Sequence, residues 1–507
     1  MSFSPDLSSS FNNTKLRSPG NVNSGSGMCA TCISDCPAFC EIGLSSLRGK
    51  ESVYPVERDK KQFGSEKHYP VDFSHFNING RVFGASGLMA DSDTAHSFNV
   101  DLSTEFGTRF PIKQKLPIIL PAIAKLNWAD YYSGAALAGV TAVIGEAVIN
   151  EDLEVEFSKG KVISSPLIKE MVLKFKQYDH GYGDIVLQGN YDDVKAGVLE
   201  YAVEKLGVKS VEIKLGQAAK GIQAISKIKS AEKAKELQSK GLLVYPDPCS
   251  TESGKNLESM LDQTYWLLGR LPMYDEETLA EIINKLKELG AHRVMFKMGG
   301  YDKSDLERIL LIASENGVDL VTFDSAGGGT GNSPCKMMNE WGLPPVYLEN
   351  ILWDLLNKMH LKGLSVPSIA ITGGFSLEDS IFKGLAFGAP FIKLVGVCRP
   401  AMAAAMYAKK VGEEIKSQNL NPFSRQYGST KEEIFNDLFD LQKLMGKNEI
   451  NKISPGSLGV FSYLNRVAFG LKLFMALNRK FSLRYLDRSD IIPLTSEAKM
   501  LLRETWL

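Results

Sequence analysis

Net charge is almost absent from this 507-residue chain: 58 Lys and Arg stand against 59 Asp and Glu, leaving −1. With a pI near 6.6, that balance excludes a broad basic surface for nucleic acid or anionic lipid. Long apolar runs are scarce. Gly459–Leu477 is interrupted by Arg466 and Lys472, and Gly384–Ala408 by Lys393 and Arg399. Neither run offers the ~20 uninterrupted apolar residues of a spanning helix. The N-terminus also lacks the charged-then-apolar layout of a secretory signal. A soluble cytoplasmic protein, bound to neither membrane nor nucleic acid, is therefore expected. No G-x-G-x-x-G joins a strand to a helix, so a dinucleotide fingerprint is missing too.

What is present is regular alternation. Eight short apolar or β-branched runs recur: 116–122, 141–147, 184–190, 210–216, 293–299, 320–326, 368–374 and 391–397. Between them lie helical patterns such as 192–206, 276–289, 304–315, 346–362 and 377–387. Parallel strands need crossover helices, so eight such units predict an α/β protein with a closed (β/α)8 TIM barrel, in preference to a doubly wound sheet. The expected layout is a disordered leader at 1–27, a cysteine-rich segment at 28–50 and an N-terminal cap at 51–115. The barrel follows at 116–410, and a C-terminal helical extension at 411–507. That extension is expected to close the bottom or side of the barrel rather than to serve a partner. A long excursion, about 217–275, separates the fourth strand from its helix and is expected to cover the mouth.

In such barrels, reacting groups project from the C-terminal strand ends. Those positions hold Ala122, Glu146, Gln188, Lys214, Gln217, Lys297, Asp324 and Gly396, with the glycine runs Gly327–Gly329 and Gly373–Gly374. Backbone N–H groups can cradle a phosphate where no Cβ intervenes, best at a helix N-terminus. The loops after strands seven and eight are thus candidate phosphate sites, with plain turn glycines as the alternative. Lys214 and Lys297 are flanked by apolar residues, which predicts ammonium groups aimed into a largely dry mouth. There a buried lysine needs an anion or loses its charge. Each either reaches an anionic ligand or forms a structural pair with Glu146, Glu212 or Asp324.

Four of the seven cysteines, Cys29, Cys32, Cys36 and Cys40, form a C-x2-C-x3-C-x3-C run. Disulfides are not expected without a secretion signal. Four thiolates this close can wrap the corners of a [4Fe–4S] cluster; zinc, or no metal, are the alternatives. Such a cluster could pass single electrons to a two-electron carrier. With no dinucleotide fingerprint, a ferredoxin-like donor or a partner subunit would supply them.

VEIKLGQAAK (Val211–Lys220), LPMYDEETLAEIINKLKELG (Leu271–Gly290), VMFKMGG (Val294–Gly300), DSAGGGTGNSP (Asp324–Pro334) and ITGGFSLEDSIFKGLAFGAPFIKLVG (Ile371–Gly396) occur in one order. In these residues the chain resembles the FMN-binding synthase domain of the glutamate synthase large subunit and its stand-alone relatives. The resemblance covers about 116–410. It implies FMN at the barrel mouth, its phosphate on Gly373, Gly374 and Gly396, with Gln188 and Lys214 at the flavin or its ribityl chain. Ala122, Asp324, Gly328 and Gly329 would line the same cofactor site. Lys297 would stabilise negative charge on reduced flavin. At ~4 Å and an effective dielectric near 20 a unit charge is worth about 4 kcal/mol, or roughly 90 mV for two electrons.

The implied reaction is reduction of an imine formed from a 2-oxo acid and ammonia, with Lys214 or Gln217 holding a substrate carboxylate. The departures bear on substrate. This chain has no room for the family's N-terminal glutaminase domain, and its three-cysteine cluster motif is reduced to Cys398. The substrate loop is replaced by Ala218–Ser226, and another element reads YPDPC (Tyr245–Cys249). A different amine or enoyl substrate, or an electron-relay subunit, are therefore rival expectations, and homo-oligomerisation is left open.

Overall fold

The computed structural model describes residues 47–53, 65, 67, 69–218, 225–228, 230–250, 264–329 and 333–502. The leader and all four clustered cysteines lie outside the described residues. Eight parallel strands close a barrel: β1 (Ile118–Ile123), β2 (Thr141–Ile144), β3 (Ile185–Gly189), β4 (Ser210–Lys214), β5 (Arg293–Gly299), β6 (Leu320–Asp324), β7 (Ser368–Thr372) and β8 (Ile392–Gly396). Each pairs with the next, and β8 returns to β1 through Gly396 opposite Ile119. All eight fall on the runs expected from sequence. Helices α1 (Trp128–Ala138), α2 (Pro166–Lys176), α3 (Tyr191–Lys195), α4 (Val198–Leu206), α5 (Glu276–Glu288), α6 (Lys303–Glu315), α7 (Pro345–Leu361), α8 (Glu378–Gly388), α9 (Arg399–Lys416) and α10 (Pro455–Leu477) surround or extend it.

One expected helix, 192–206, is two. Gly197 sits at φ +71°, a left-handed conformation that ends α3 and lets α4 start in a new direction.

Side chains alternate across each strand, so every second residue points into the barrel. Ile119, Val143, Val186, Met295, Leu320, Ala370 and Leu394 form one interior cluster. Full burial of such side chains is worth about 1.5–3 kcal/mol each. An N-terminal hairpin, Thr104–Phe106 paired with Ile112–Gln114, adds Phe106 and Ile112 to that cluster. Gln114 fixes the hairpin: its amide donates to the carbonyls of Leu116 and Ile118 and its oxygen accepts the Thr141 N–H.

The excursion after β4 contains a three-stranded antiparallel sheet with Tyr265–Leu268 at its centre, flanked by Ile225–Ile228 and Leu243–Tyr245. It returns at Arg270, which ion-pairs with Asp192 in α3 and donates its backbone N–H to the same carboxylate. α10 is long and apolar enough to cross a membrane by length and composition. In this fold it packs on α1 and α9, where Gly134 meets Val460 and Gly459 meets Ala404 and Ala408 so closely that a Cβ at either glycine would collide.

Candidate active site

Continuing each interior row toward the C-terminal strand ends gives the residues of the mouth. Two steps beyond Val186 lies Gln188, and two steps beyond Met295 lies Lys297. Glu212 and Lys214 project from β4, Thr322 and Asp324 from β6, and Thr372 from β7. Strand register sets Gln188 beside Glu212, and Lys214 beside Lys297. The flanking apolar residues face outward, and the inward layer is buried but polar.

Glu212 is the hub of that layer. It is fully buried, accepting from Gln188 Nε2 at 2.6 Å and from Thr322 Oγ1 at 3.3 Å. Burial raises its pKa, while the charge of Lys297 pulls the other way. Asp324 behaves alike: burial raises it, and Lys297 and Lys214 oppose the rise. Lys297 itself is only 6% exposed, and its ammonium makes no hydrogen bond or ion pair among the described residues. The oxygen Oε1 of Gln188 is likewise buried with no hydrogen-bond partner.

Lys214, 3% exposed, is held between the Glu146 carboxylate at 2.5 Å and Gln217 Oε1 at 2.7 Å. The structural-pair alternative is thus met for this lysine, with Glu146 as its partner. Glu146 is positioned in turn by Asp193. That buried carboxylate accepts N–H groups from Ala147 at 2.8 Å and Asn190 at 3.0 Å. The bond pins Ala147 at φ +57°, a strained conformation for a side-chain-bearing residue. Burial pushes Asp193 up to about 7 against those two donors.

The glycines divide into two kinds. Gly327, Gly328, Gly373 and Gly396 are needed for close packing. A Cβ at Gly373 would lie 2.5 Å from Ser325 Oγ, one at Gly328 2.1 Å from Asp324 Oδ1, and one at Gly396 2.8 Å from Thr372. Gly374 differs. It adopts φ +96°, and a Cβ there would meet only Gly327 Cα, at 3.9 Å. Beside it begins α8, whose N-cap residue Leu377 makes no side-chain cap and whose first turn carries Glu378 and Asp379. Arg399, at the start of α9, donates to the Gly327 carbonyl at 2.9 Å and adds positive charge at this rim. Sequence reasoning passed over Arg399, although its place directly after strand eight was the signal. Ala122 is partly buried against the interior cluster.

Cys249 is exposed and Cys398 partly buried; burial raises the Cys398 thiol pKa. Among the described residues no group of three or more His, Cys, Asp or Glu side chains is arranged to hold a metal.

A family model described as "Conserved region in glutamate synthase" matches residues 270–407. This segment of the chain is similar to the conserved region of glutamate synthase. It runs from the return of the excursion through β8 into α9, and so carries Lys297, Asp324 and every glycine of the rim. Two curated relatives match. An archaeal-type glutamate synthase [NADPH] of Dehalococcoides mccartyi is 27% identical over 123 residues, 24% of this chain and 24% of its own length. The glutamate synthase large subunit-like protein YerD of Bacillus subtilis is 25% identical over 190 residues, 37% of this chain and 32% of its own. The chain thus spans about a quarter to a third of the relatives it matches. Among solved structures, a chimera of (S)-mandelate dehydrogenase is 13% identical, with 83% of this chain and 88% of that one covered and a TM-score of 0.44. An IMP dehydrogenase/GMP reductase-like protein of Corynebacterium glutamicum is 12% identical, with 87% and 96% covered and a TM-score of 0.44. The closed barrel stands on its own strand ladder, independent of these distant likenesses.

Proposed function

We propose that the barrel mouth binds FMN and that the protein is an FMN-dependent oxidoreductase of the glutamate synthase type, reducing an imine formed from a 2-oxo acid and ammonia. The observation that carries this reading is a pair of unspent groups around Glu212. Lys297 is a buried cation with no hydrogen-bond partner among the described residues, and Gln188 offers a buried acceptor with none. A group carrying N–H donors and an edge that becomes negative would satisfy both, which is what an isoalloxazine ring presents. Gly374, open on one side, and Arg399 suit its phosphate. FMN bound there would supply the hydride transfer itself.

The chain's own residues bind and hold. Lys297 favours negative charge at the ring edge, and the buried carboxylates Glu212 and Asp324 moderate that charge. Lys214 or Gln217 takes a substrate carboxylate, with Glu146 holding Lys214 in place. Cys29, Cys32, Cys36 and Cys40 would bind a [4Fe–4S] cluster, with zinc as the alternative, and a ferredoxin-like donor or partner subunit would deliver electrons. Ammonia would come from outside the matched region. A cytoplasmic setting belongs to the same reading.

The test is direct. Protein loaded with FMN and reduced anaerobically is mixed with 2-oxoglutarate and ammonium while flavin absorbance is followed. Reoxidation that requires both compounds supports the proposal; no reoxidation by any 2-oxo acid overturns it. The departures at 218–226 and Tyr245–Cys249 favour, as a second reading, the same flavin barrel acting on another amine or an enoyl substrate.

A further inference from the structure

We propose that Tyr301 is a positioning residue: it clasps Gln217 so that Lys214 is presented correctly to a carboxylate ligand at the mouth. The inference rests on the reading above for the ligand, though its geometry does not. Tyr301 stands two residues beyond the end of β5, the strand carrying Lys297. Its phenol oxygen accepts the Gln217 N–H at 2.9 Å, and its O–H donates to the Gln217 carbonyl at 2.7 Å. One side chain thus takes up both backbone polar groups of a single loop residue. That residue is the one whose carboxamide oxygen accepts from Lys214 Nζ.

The fit of the ring is specific. It lies in a slot between the ends of β4 and β5 that exists because two residues lack a Cβ. A Cβ at Gly216 would come within 2.7 Å of the ring, and one at Gly299 within 2.5 Å. Trp341 flanks the ring, with centroids 5.7 Å apart. Burial pushes the phenol up to about 12, so it remains a donor at any working pH. Nearby, among the described residues, the loop is otherwise tied to β5 by the Leu215 and Gly216 N–H groups on the Lys297 carbonyl, at 2.7 and 3.4 Å. The strands bearing the two lysines are therefore stapled at their mouth ends by this phenol. Phenylalanine would fill the slot equally well, so the hydroxyl contributes position rather than packing.

Competitive amine labelling, read peptide by peptide in a mass spectrometer, separates position from packing without using turnover. In the intact protein, Lys214 should react far more slowly than exposed Lys125. Losing both hydrogen bonds in Tyr301→Phe should raise the Lys214 rate about tenfold, with Lys297 little changed and the melting temperature lowered only modestly. On the FMN-loaded protein, 2-oxoglutarate read by flavin absorbance should bind about tenfold more weakly, with FMN content unaltered. Gly299→Ala, which pushes the ring from its slot, should raise Lys214 labelling likewise, with a lowered melting temperature, and carries the test if Tyr301→Phe does not fold. Gln217→Ala should also release Lys214, and adding Tyr301→Phe to it should release it no further. A Tyr301→Phe protein with Lys214 labelling unchanged and only its stability lowered overturns the proposal. Failure of FMN to slow labelling of Lys297 in the unsubstituted protein counts against the flavin reading alone.

Discussion

Asp193 and Lys297 show how differently two buried charges can serve one site. The Asp193 carboxyl rises from its ordinary 3.8 to about 7 because burial outweighs two backbone donors. Between those values the folded chain keeps a proton that the unfolded chain has released, so stability falls as pH climbs from about 4 to 7. The gap corresponds to about 4 kcal/mol at most. Asp193→Asn cannot titrate, so thermal melts from pH 4 to 7 should show a flatter slope than the parent; an identical slope would acquit this residue. For Lys297→Met the expectation concerns flavin. FMN should stay bound while its midpoint potential drops by roughly 30–90 mV, and an unchanged potential would place the lysine's charge elsewhere. Both lysines were legible in the sequence as inward residues at strand ends. Glu146 and Glu212 were among the partners the sequence offered, but which lysine meets which, and the Gln188–Glu212 bond, depend on register between strands, which is not written in any one segment.

At the level of elements, parallel strands buried on both faces read as continuous β-branched runs, which is why all eight could be placed. Helix α1 escaped for the opposite reason. Nine of its eleven residues are buried, most of them small, so it carries no polar stripe to betray a 3.6 period. The break at Gly197 was visible only as a glycine in a helical pattern. Close helix packing is equally hard to foresee, since Gly459 is explained by Ala404 and Ala408, some fifty residues away. A methyl group there would meet Ala408 Cβ at 2.4 Å and the Ala404 carbonyl at 2.5 Å. Gly459→Ala should therefore destabilise by about 1–3 kcal/mol, measured by denaturant melts; neutrality would mean α9 and α10 separate freely.

Across the whole molecule, a near-neutral chain sets one cluster of buried charges at the barrel mouth. Lys214, Lys297, Glu146, Glu212, Asp193 and Asp324 converge at one end of the barrel, while an apolar plug with Phe106 and Ile112 fills the other. The glycine-rich loops of β6 and β7 interlock backbone to backbone beside that cluster, while Gly374 keeps an open side. The proposed flavin site rests on this asymmetry, and it can be tested at a stroke. Titrating the anaerobically purified full-length protein with FMN, followed by absorbance and fluorescence, should give one tightly held yellow cofactor per chain. A protein that stays colourless and leaves FMN fluorescence unquenched at saturating concentration would contradict the account.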